Sequence, residues 1–517
     1  MTRINTNIPS VIAQQRLNRS GADLQLRLER LSTGLRINRG KDDPAGLIIS
    51  ERLGTDISNI EQAIKNGERA SAVIATTEGA LTEITDLLNS IKALAVEAAN
   101  TGALSDEERA ANQLQIDSAI QSITRISNTA TFGGLKLLDG SLDYITSGIS
   151  NSEISKARIT AASFVGTTSI NVDVDVISSA QKGNLYLSGD NSGAGGTDGE
   201  ILSRTTIQIR GREGVRELVL ESGQTFASVV SSINSLTELT GVEAALVNGN
   251  ANSGIVFRSV EYGSDAFVSV ERVDKPATGD NWTLYKLDDN APIPANGVPW
   301  GDPSLLADVT RDEGADVSAL INGILATGDG ISVSVNSPSL GLELLLNETF
   351  ATDPTLTAAT FDITGGGSLF QLGPDISALQ QANIGVQSTA SESLGGTLVN
   401  GELQFLSSLT DGQTNSLDNA ADRRDFSAIQ DIVDNAIDEV SILRGRMGAF
   451  ERNVLDTNKR SLQSAFENLT ASRSVIRDAD FASETSELTR AQILQSAGTS
   501  VLSLANQQSQ QVLQLLG

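Results

Sequence analysis

Few residues in this chain of 517 have the types that catalysis usually requires. The sequence contains no cysteine and no histidine. Their absence excludes thiol nucleophiles, thiolate metal sites and the imidazole that most often serves as general base or metal ligand. A zinc-protease centre of the H-E-x-x-H type is excluded for the same reason. We therefore predict a protein that is not an enzyme, with no catalytic residue, no metal site and no cofactor.

Two remaining patterns have a chemical interpretation, and both are weak. Asp173 and Asp175 alternate along a predicted strand and suggest calcium, but the loop glycine and the distant glutamate of an EF-hand are missing. Alternating acids on a strand are more often a solvent-exposed edge. Glycosylation sequons begin at Asn281 and Asn347. Neither pattern supplies a reactive group, so the function must depend on how the larger elements pack.

The acidic charge of the chain is concentrated in its middle. The net charge is -27, and residues 140–420 hold 34 acidic against 12 basic side chains. Such a region repels a phosphate backbone, so we predict no nucleic-acid partner. The sequence has no run of about 20 apolar residues and no apolar stretch near its start, which predicts no membrane insertion and no cleaved Sec-type signal peptide. The length predicts several domains.

Both ends of the chain have the pattern of helices that pack along partner helices. Apolar residues recur at spacings of three and four from Ile4 to Leu35 and from Leu488 to Leu516. A stripe of this kind also suits the core of an intramolecular bundle, but neither end can bury its stripe alone. We predict that the ends pack against each other and against copies of the chain, as in a self-assembling polymer. The predicted self-assembly residues are Leu17, Leu24, Leu28, Leu31, Leu35, Leu494, Ala497, Val501, Leu504, Val512 and Leu515.

Local signals mark the helices that follow the first one. The first helix is expected to end near Gly34, which can adopt the left-handed conformation. Asp43 and Pro44 suit the start of the next helix. Its pattern continues to residue 99 and gives a rod of about 80 Å at 1.5 Å per residue. Ser105 and Glu108 have the spacing of a capping box for a further helix.

The sequence predicts β structure in the middle of the chain, between two helical halves. Short alternating runs separated by Gly, Ser, Asn and Asp predict strands, and one module at about 204–272 contains a helix at about 225–239. The likeness of 317–322 to 229–234 predicts a weaker repeat at about 315–350, and the proline-rich stretch 273–303 reads as a linker or loop. The fold class is therefore multidomain α plus β: long terminal coiled-coil helices and a helical bundle with a central β-rich insertion. The predicted segments are an N-terminal helix and spoke at 1–43, an N-terminal helical half at 44–140, the insertion at 141–420, a C-terminal helical half at 421–480 and a C-terminal helix at 481–517.

Long motifs at both ends carry a family resemblance. They are Ile4–Asn7, Glu29–Asn38, Lys41–Gly46, Thr77–Leu81, Leu94–Val96, Phe132–Gly140, Glu467–Ser472, Ile476–Asp480 and Ala505–Gln507. In this order the motifs closely resemble bacterial flagellin, the filament subunit of the flagellum, over roughly 1–140 and 420–517. The module at 204–272 also resembles, less specifically, an insert found in many flagellins and hook-associated proteins.

The resemblance implies a structural subunit that self-assembles into the extracellular helical filament for motility. The terminal helices would form an inner tube, 44–128 and 421–480 an outer-tube layer, and 141–420 would project outward. The subunit would be exported unfolded through the flagellar type III apparatus. The implied partners are copies of the chain, the flagellar cap, hook-junction proteins and an export chaperone. Two alternatives remain: a hook–filament junction protein, or a flagellin whose insertion binds a ligand in the manner of a lectin.

The resemblance also gives a role to two sets of polar residues. Charged residues at the first helix break are candidates for inter-subunit contacts, namely Arg30, Arg36, Lys41, Asp42 and Asp43. Flagellins are typically sensed by an innate immune receptor through the helix that here runs from 87 to 96. Stimulatory members usually carry arginine at the position of Ser90 and glutamate near Gln115, whereas this chain retains Leu94 and has Lys92 beside it. Because serine lacks the planar fork of arginine, we expect weak receptor binding. The alternative is that Ser90 faces a neighbouring subunit, which explains the serine without reference to a receptor.

Overall fold

The protein is described by a computed structural model covering residues 7–164, 167–188, 199–274, 282–287, 306–337, 339–353, 355–399 and 402–516. Its internal contacts separate two compact units. Unit 1 comprises Met1–Ser71, Gln371–Gln381 and Glu451–Gly517, and unit 2 comprises Ala72–Phe370 and Ala382–Phe450. The five segments expected from the sequence stay a prediction, since this division follows a different criterion.

Helices occupy both ends of the chain, as the sequence predicts. The first three cover most of the N-terminal part, and the last four cover the C-terminal part. The α-helices are α1 (Ile8–Thr33), α2 (Pro44–Ala98), α3 (Asp106–Thr129), α4 (Phe226–Asn234), α5 (Thr237–Thr240), α6 (Glu348–Thr352), α7 (Leu417–Arg423), α8 (Ser427–Phe450), α9 (Asp456–Arg477) and α10 (Phe481–Leu516). A π-helical turn at Glu451–Leu455 precedes α9.

The predicted helix boundaries are confirmed where a cap was identified. Gly34 has φ of 72° and its N–H donates to the Arg30 carbonyl, which ends α1. The Asp43 carboxylate accepts from the Gly46 N–H at 2.9 Å and caps α2. Ser105 and Glu108 form the capping box of α3. One expectation needs correction: because α1 ends before Gly34, Leu35 is not part of the helical stripe.

Unit 1 contains a small apolar contact between α2 and α9. Ile60, Ala63 and Leu462 are buried there, with Phe466 and Leu469 packed beside them. This core is thin for helices of such length, because most of the other side chains on both elements are exposed or half-buried.

Unit 2 contains a thicker helical core. Leu81, Ile84, Leu88 and Ile91 of α2 are fully buried, as are residues of α3 and α8 at matching helical spacings. The buried residues of α3 and α8 include Ile116, Ile120, Ile123, Ile429, Ile432, Val433, Ala436 and Val440.

The described residues of the segment 386–420 pack on this helical core. The Gln113 side chain on α3 donates to the Leu409 carbonyl at 2.9 Å and accepts from the Leu417 N–H at 2.8 Å. Ser391 is hydrogen-bonded to Thr124 of α3 at 2.9 Å. These contacts join the segment to α3, and the boundary of the insertion at residue 420 stays a prediction.

Strands fill the middle of the chain. The strands are β1 (Thr131–Phe132), β2 (Leu135–Lys136), β3 (Tyr144–Ser147), β4 (Ile154–Ala162), β5 (Ile170–Ser178), β6 (Asn184–Leu187), β7 (Thr205–Arg210), β8 (Val215–Leu220), β9 (Val242–Leu246), β10 (Ile255–Ser259), β11 (Phe267–Arg272), β12 (Leu284–Leu287), β13 (Leu306–Asp308), β14 (Arg311–Glu313), β15 (Ser318–Ile321), β16 (Ile324–Leu325), β17 (Thr327–Asp329), β18 (Ser332–Asn336), β19 (Leu340–Leu346), β20 (Ala359–Gly366), β21 (Ser368–Gln371), β22 (Gln381–Ile384), β23 (Thr397–Val399) and β24 (Glu402–Gln404). The strands pair in antiparallel orientation within the four larger sheets and in the β1–β2 and β23–β24 pairs.

The larger sheets form two β cores, one inserted into the other. The outer core joins sheets β16-β15-β5-β20-β3 and β17-β18-β19-β4, and its buried residues come from 144–180 and 317–363. The inner core joins sheets β13-β12-β6-β10-β9 and β14-β11-β7-β8 together with α4, and its buried residues lie within 185–284. In chain order, β3 to β5 belong to the outer core, β6 to β14 form the inner core, and β15 to β20 complete the outer core.

Two details of the β prediction need correction. The predicted helix at 225–239 is interrupted after Asn234, so that α4 and α5 are separate helices. The weaker repeat at 315–350 does not have the structure of the first module, because Ser318–Ile321 is a strand while the matching residues 229–234 are helical. Alternation of small and apolar residues fits either structure in so short a run. The proline-rich stretch 273–303 lies mostly outside the described residues.

Candidate functional site

The two terminal helices pair along their length in antiparallel orientation. Near one end of the pair, the Asn7 amide donates to the Ala505 carbonyl at 3.1 Å. In the middle, the Ser20 hydroxyl donates to the Ala491 carbonyl at 3.3 Å. The opposite chain ends therefore form one structure in unit 1, as the sequence predicts.

Small residues allow the two helices to approach closely. A Cβ atom placed on Gly498 would lie 3.2 Å from Leu17 Cδ1, and Ala13 and Ala491 are both buried. Backbone proximity of this kind favours small side chains at the crossing points. We define the pairing face of α10 by the buried and half-buried residues that recur at spacings of four and three, which are Glu484, Leu488, Ala491, Gln495, Gly498, Leu502 and Ala505.

A buried carboxylate fixes the pair near the start of α10. Glu484 is only 6% exposed, and its two carboxylate oxygens accept from Arg27 Nη1 at 2.9 Å and Arg30 Nη1 at 3.0 Å. Burial acts to raise the pKa of Glu484, but the hydrogen bonds from both arginines outweigh it and hold the pKa below its usual value. The same contacts raise the pKa of Arg27. Glu484 and Arg27 were not among the predicted site residues.

The chain after α1 is bound to the end of α9. The Arg36 N–H donates to the Arg477 carbonyl at 2.7 Å, and the Ala479 N–H donates to the Gly34 carbonyl at 2.9 Å. The Arg36 guanidinium also donates to the Ile476 carbonyl at 2.6 Å. This short bridge holds the spoke residues against α9 within unit 1.

Most of the predicted inter-subunit charges have partners within the chain. Arg30 binds Glu484 and Arg36 binds the α9 carboxyl end, as described above. Asp42 accepts from the Arg39 N–H at 2.8 Å, a bond that lowers the pKa of the Asp42 carboxyl. Asp43 caps α2, and Lys41 is exposed. An inter-subunit role for these five residues stays a prediction, and their intrachain bonds already account for the clustering of four of them.

The apolar stripe predicted on α10 lies on a different face from the pairing face. Leu494, Val501 and Leu504 are between 51% and 57% exposed, and Ala497 and Ile493 beside them are also exposed. We call these five residues the outer face of α10. The side chains of Val512 and Leu515 lie outside the described residues. Helix α10 therefore has one face that pairs with α1 and a second, apolar face that is uncovered in the single chain.

Helix α1 shows the same division less completely. Leu17, Leu24 and Leu31 are half-buried, whereas Leu28 is about half exposed. At the start of the helix a further apolar group faces solvent, which we call the outer face of α1: Ile8, Val11 and Ile12. The residues of the pairing face of α10 recur at spacings of four and three, so the sequence contains this helical period. Because most of these residues are small or polar, a search for apolar residues does not detect it.

The residues of the predicted receptor region lie on the helices of unit 2. Ser90 and Gln115 are exposed, and Leu94 is half-buried. Lys92 Nζ forms an ion pair with Asp434 Oδ1 at 2.5 Å, so this ammonium group has a partner within the chain. Receptor recognition through these residues stays a prediction.

The weak chemical patterns of the sequence have ordinary structural roles. Asp173 and Asp175 lie on the exposed side of β5, and Asn347 caps α6 by accepting from the Thr349 N–H at 3.0 Å. Asn281 lies outside the described residues. In the described part of the chain, no three acidic residues are grouped as a metal site would require. Across the same residues, none of the helices combines the length and the apolar content that crossing a membrane requires.

Paired terminal helices with uncovered apolar faces, joined to a larger body, define a self-associating structural protein. The comparisons agree with this class. Family models described as the bacterial flagellin N-terminal helical region and C-terminal helical region match residues 4–143 and 430–516. B-type flagellin of Pseudomonas aeruginosa is 32% identical over 514 residues, which cover 99% of each chain. Flagellin of Salmonella choleraesuis is 29% identical over 537 residues, again covering 99% of each chain.

The chain belongs to the bacterial flagellin family. It is a structural subunit that self-assembles into the extracellular filament of the flagellum, and the flagellin relatives favour this role over that of a hook–filament junction protein. A structural-protein family implies that the chain is not an enzyme. Among solved structures, flagellar hook associated protein-3 from Legionella pneumophila is 13% identical, with 82% of this chain and 97% of that chain covered and a TM-score of 0.29.

Proposed function

We propose that the outer faces of α1 and α10 are the surfaces through which copies of the chain join in the filament. The observation that carries the proposal is the exposure of Leu494, Val501 and Leu504 beside a fully formed pairing face. Burying a side chain of this size contributes about 1.5–3 kcal/mol. Several such residues on two helices supply a strong driving force for association while adding little to the folding of one chain.

The proposal assigns separate tasks to the two faces. The pairing face, with Glu484 and the small residues, sets the register of α1 against α10 in each copy. The outer face then meets the terminal helices of neighbours. This arrangement is compatible with an inner tube made of the terminal helices. The flagellar cap, the hook-junction proteins and an export chaperone are proposed partners on the same grounds. The apolar faces are exposed to solvent in a chain that has not yet assembled and in the chains at the ends of a filament, and these partners would bind them there.

Seeded growth of filaments tests the assignment of the outer face. We expect Val501→Ser with Leu504→Ser to raise the critical concentration for growth on seeds at least about thirtyfold, which corresponds to about 2 kcal/mol. The thermal unfolding of the monomer should not change, since both side chains are exposed. A matched control is Ile324→Ser with Leu325→Ser, two exposed apolar residues on β16.

Two outcomes would count against the proposal. If the Val501→Ser, Leu504→Ser variant had the same critical concentration for growth as the parent chain, the outer face of α10 would not be a contact between copies. An equal loss of growth in the β16 control would show that the effect comes from exposed apolar residues in general.

A further inference from the structure

The segment between β21 and β22 presents two large apolar side chains to solvent. Ile376 is 93% exposed and Leu379 is 84% exposed, the two highest values among the large hydrophobic residues in the described part of the chain. We call residues 372–380 the apolar loop. Single exposed apolar residues are common, but two that are almost fully exposed and three positions apart mark a surface that is worth explaining.

The loop is held in shape by its own hydrogen bonds. The Gln371 amide donates to the Gly373 carbonyl at 2.9 Å and to the Asp375 carbonyl at 2.7 Å. The Gln380 side chain accepts from the Asp375 N–H at 2.7 Å and donates to the Asp375 carboxylate at 3.1 Å. Backbone bonds from Leu372 and Gly373 to the Gln380 carbonyl close the loop. Ile376 and Leu379 are therefore displayed by an ordered loop, and binding through them carries little ordering cost.

The loop is also attached to the helices of unit 1. The Asn458 amide on α9 donates to the Leu372 carbonyl at 2.8 Å, and the Leu372 side chain is buried. The apolar loop thus belongs to the same compact unit as α1 and α10, whose outer faces are proposed to join copies of the chain. Because chains of this family assemble into filaments of many copies, a second copy of the chain is the occupant that fits this surface.

We propose that the apolar loop of one copy packs against the far end of the α2–α9 helix pair of the next copy. Three exposed apolar residues lie there, Ile48 and Ile49 on the second turn of α2 and Val475 on the last turn of α9. Glu51 and Arg477 are ion-paired at 2.7 Å, which places these two helix ends side by side. Val475 lies about 25 Å along α9 from Asn458, at 1.5 Å per residue.

A contact between two different surfaces of one unit is heterologous. Heterologous contacts give rings when the rotation closes and open helical assemblies when it does not, whereas a self-complementary patch gives a dimer. The apolar loop and the far helix ends have this relation within unit 1. The inference rests on filament formation by this family and is independent of the outer-face proposal, since none of its residues lies on α1 or α10.

Seeded growth with paired variants tests the loop. We expect Ile376→Ser with Leu379→Ser to raise the critical concentration at least about tenfold, because both side chains lose an apolar contact between copies. Ile324→Ser with Leu325→Ser is again the matched control and should grow as the parent chain does. Thermal unfolding of both monomers should equal that of the parent. Growth of the loop variant at the parent concentration would overturn the proposal.

Cross-linking tests the position of the contact. Because the chain has no cysteine, Leu379→Cys with Ile48→Cys introduces the only two thiols. Oxidation of assembled filaments should give a ladder of covalent multimers that is absent from oxidised monomer and from either single variant. Filaments that form normally but give no ladder, also with Val475→Cys in place of Ile48→Cys, would overturn the proposed end-to-end contact. Failure of Val501→Ser with Leu504→Ser to affect growth would leave this result unchanged, so the two proposals fail separately.

Discussion

The terminal helices and the helical core of unit 2 have similar apolar spacing but very different burial. On α1 only Ala13 is buried, and on α10 only Glu484 and Ala491 are buried among the described side chains. In unit 2, α8 alone has eight buried residues along one stripe, and Leu81, Ile84, Leu88 and Ile91 of α2 are inaccessible. In a pair of helices, each helix has only one face covered by its partner. In a bundle with loops packed on it, most of the apolar stripe of each helix is covered. The same apolar periodicity therefore stabilises the fold in unit 2, whereas on the terminal helices it leaves apolar surface exposed for association.

The largest expected effect separates folding from assembly. Leu88→Ala removes a side chain with 0% exposure from the unit 2 core and should lower the free energy of unfolding by about 2–5 kcal/mol. Leu504→Ala on α10 should change it by less than about 0.5 kcal/mol, as for most exposed positions. Chemical unfolding of the monomer measures both. A loss of similar size in the two variants would contradict the distinction between the regions.

A smaller effect is expected from the buried carboxylate of the terminal pair. Glu484→Gln removes the charge that binds Arg27 and Arg30, and should weaken the pairing of α1 and α10 by about 1–3 kcal/mol. Hydrogen exchange of amides in α1 measures this directly. Glu487→Gln is a matched control, since that residue lies three positions away with a more exposed side chain. Equal exchange rates in the two variants would contradict a role for Glu484 in the pair.

The stability of the α1–α10 helix pair should depend on pH in a defined direction. The pKa of Glu484 is lowered in the folded state from its ordinary value of 4.5. The stabilisation from its ion pairs is therefore complete above 4.5 and is lost as the pH falls through the lower folded-state pKa. Protection of α1 in the parent chain should decline on acidification over that range, whereas in Glu484→Gln it should be low throughout. An identical pH profile for the two chains would refute the assignment.

The smallest effect on assembly is expected from removing the β cores. The Gly367 N–H donates to the Asp143 carbonyl at 3.0 Å, so a short Gly-Ser linker can replace residues 144–366 without moving the ends. Growth on seeds should be retained, with filaments that are thinner and less acidic. Deletion of 141–420 is the informative comparison, because it also removes the segment that packs on α3. We expect it to destabilise the helical core, and equal stability of the two deletions in thermal unfolding would contradict a stabilising role for residues 386–420.

Much of the architecture was accessible from local sequence. The bounds of α2, the capping box at Ser105 and the end of α1 at Gly34 follow from capping and backbone preferences that act within a few residues. The strand at Thr205–Arg210 follows from alternation, and the family assignment follows from long motifs at both ends. The terminal stripes were also visible, together with the prediction that the two ends meet.

Only the tertiary structure decided which surface does what. The outer face of α10 is the stripe with large apolar residues, whereas the pairing face consists of Glu484 and small residues that a search for hydrophobic periodicity passes over. The segment 386–420 joined the helical core through hydrogen bonds across about 300 positions of chain, as between Gln113 and Leu409. The segment at 318–321 became a strand because β5 and β16 lie on either side of it. Local preferences fix where an element begins and ends, but burial, partner and register depend on residues distant in sequence, and these are brought together only by the fold.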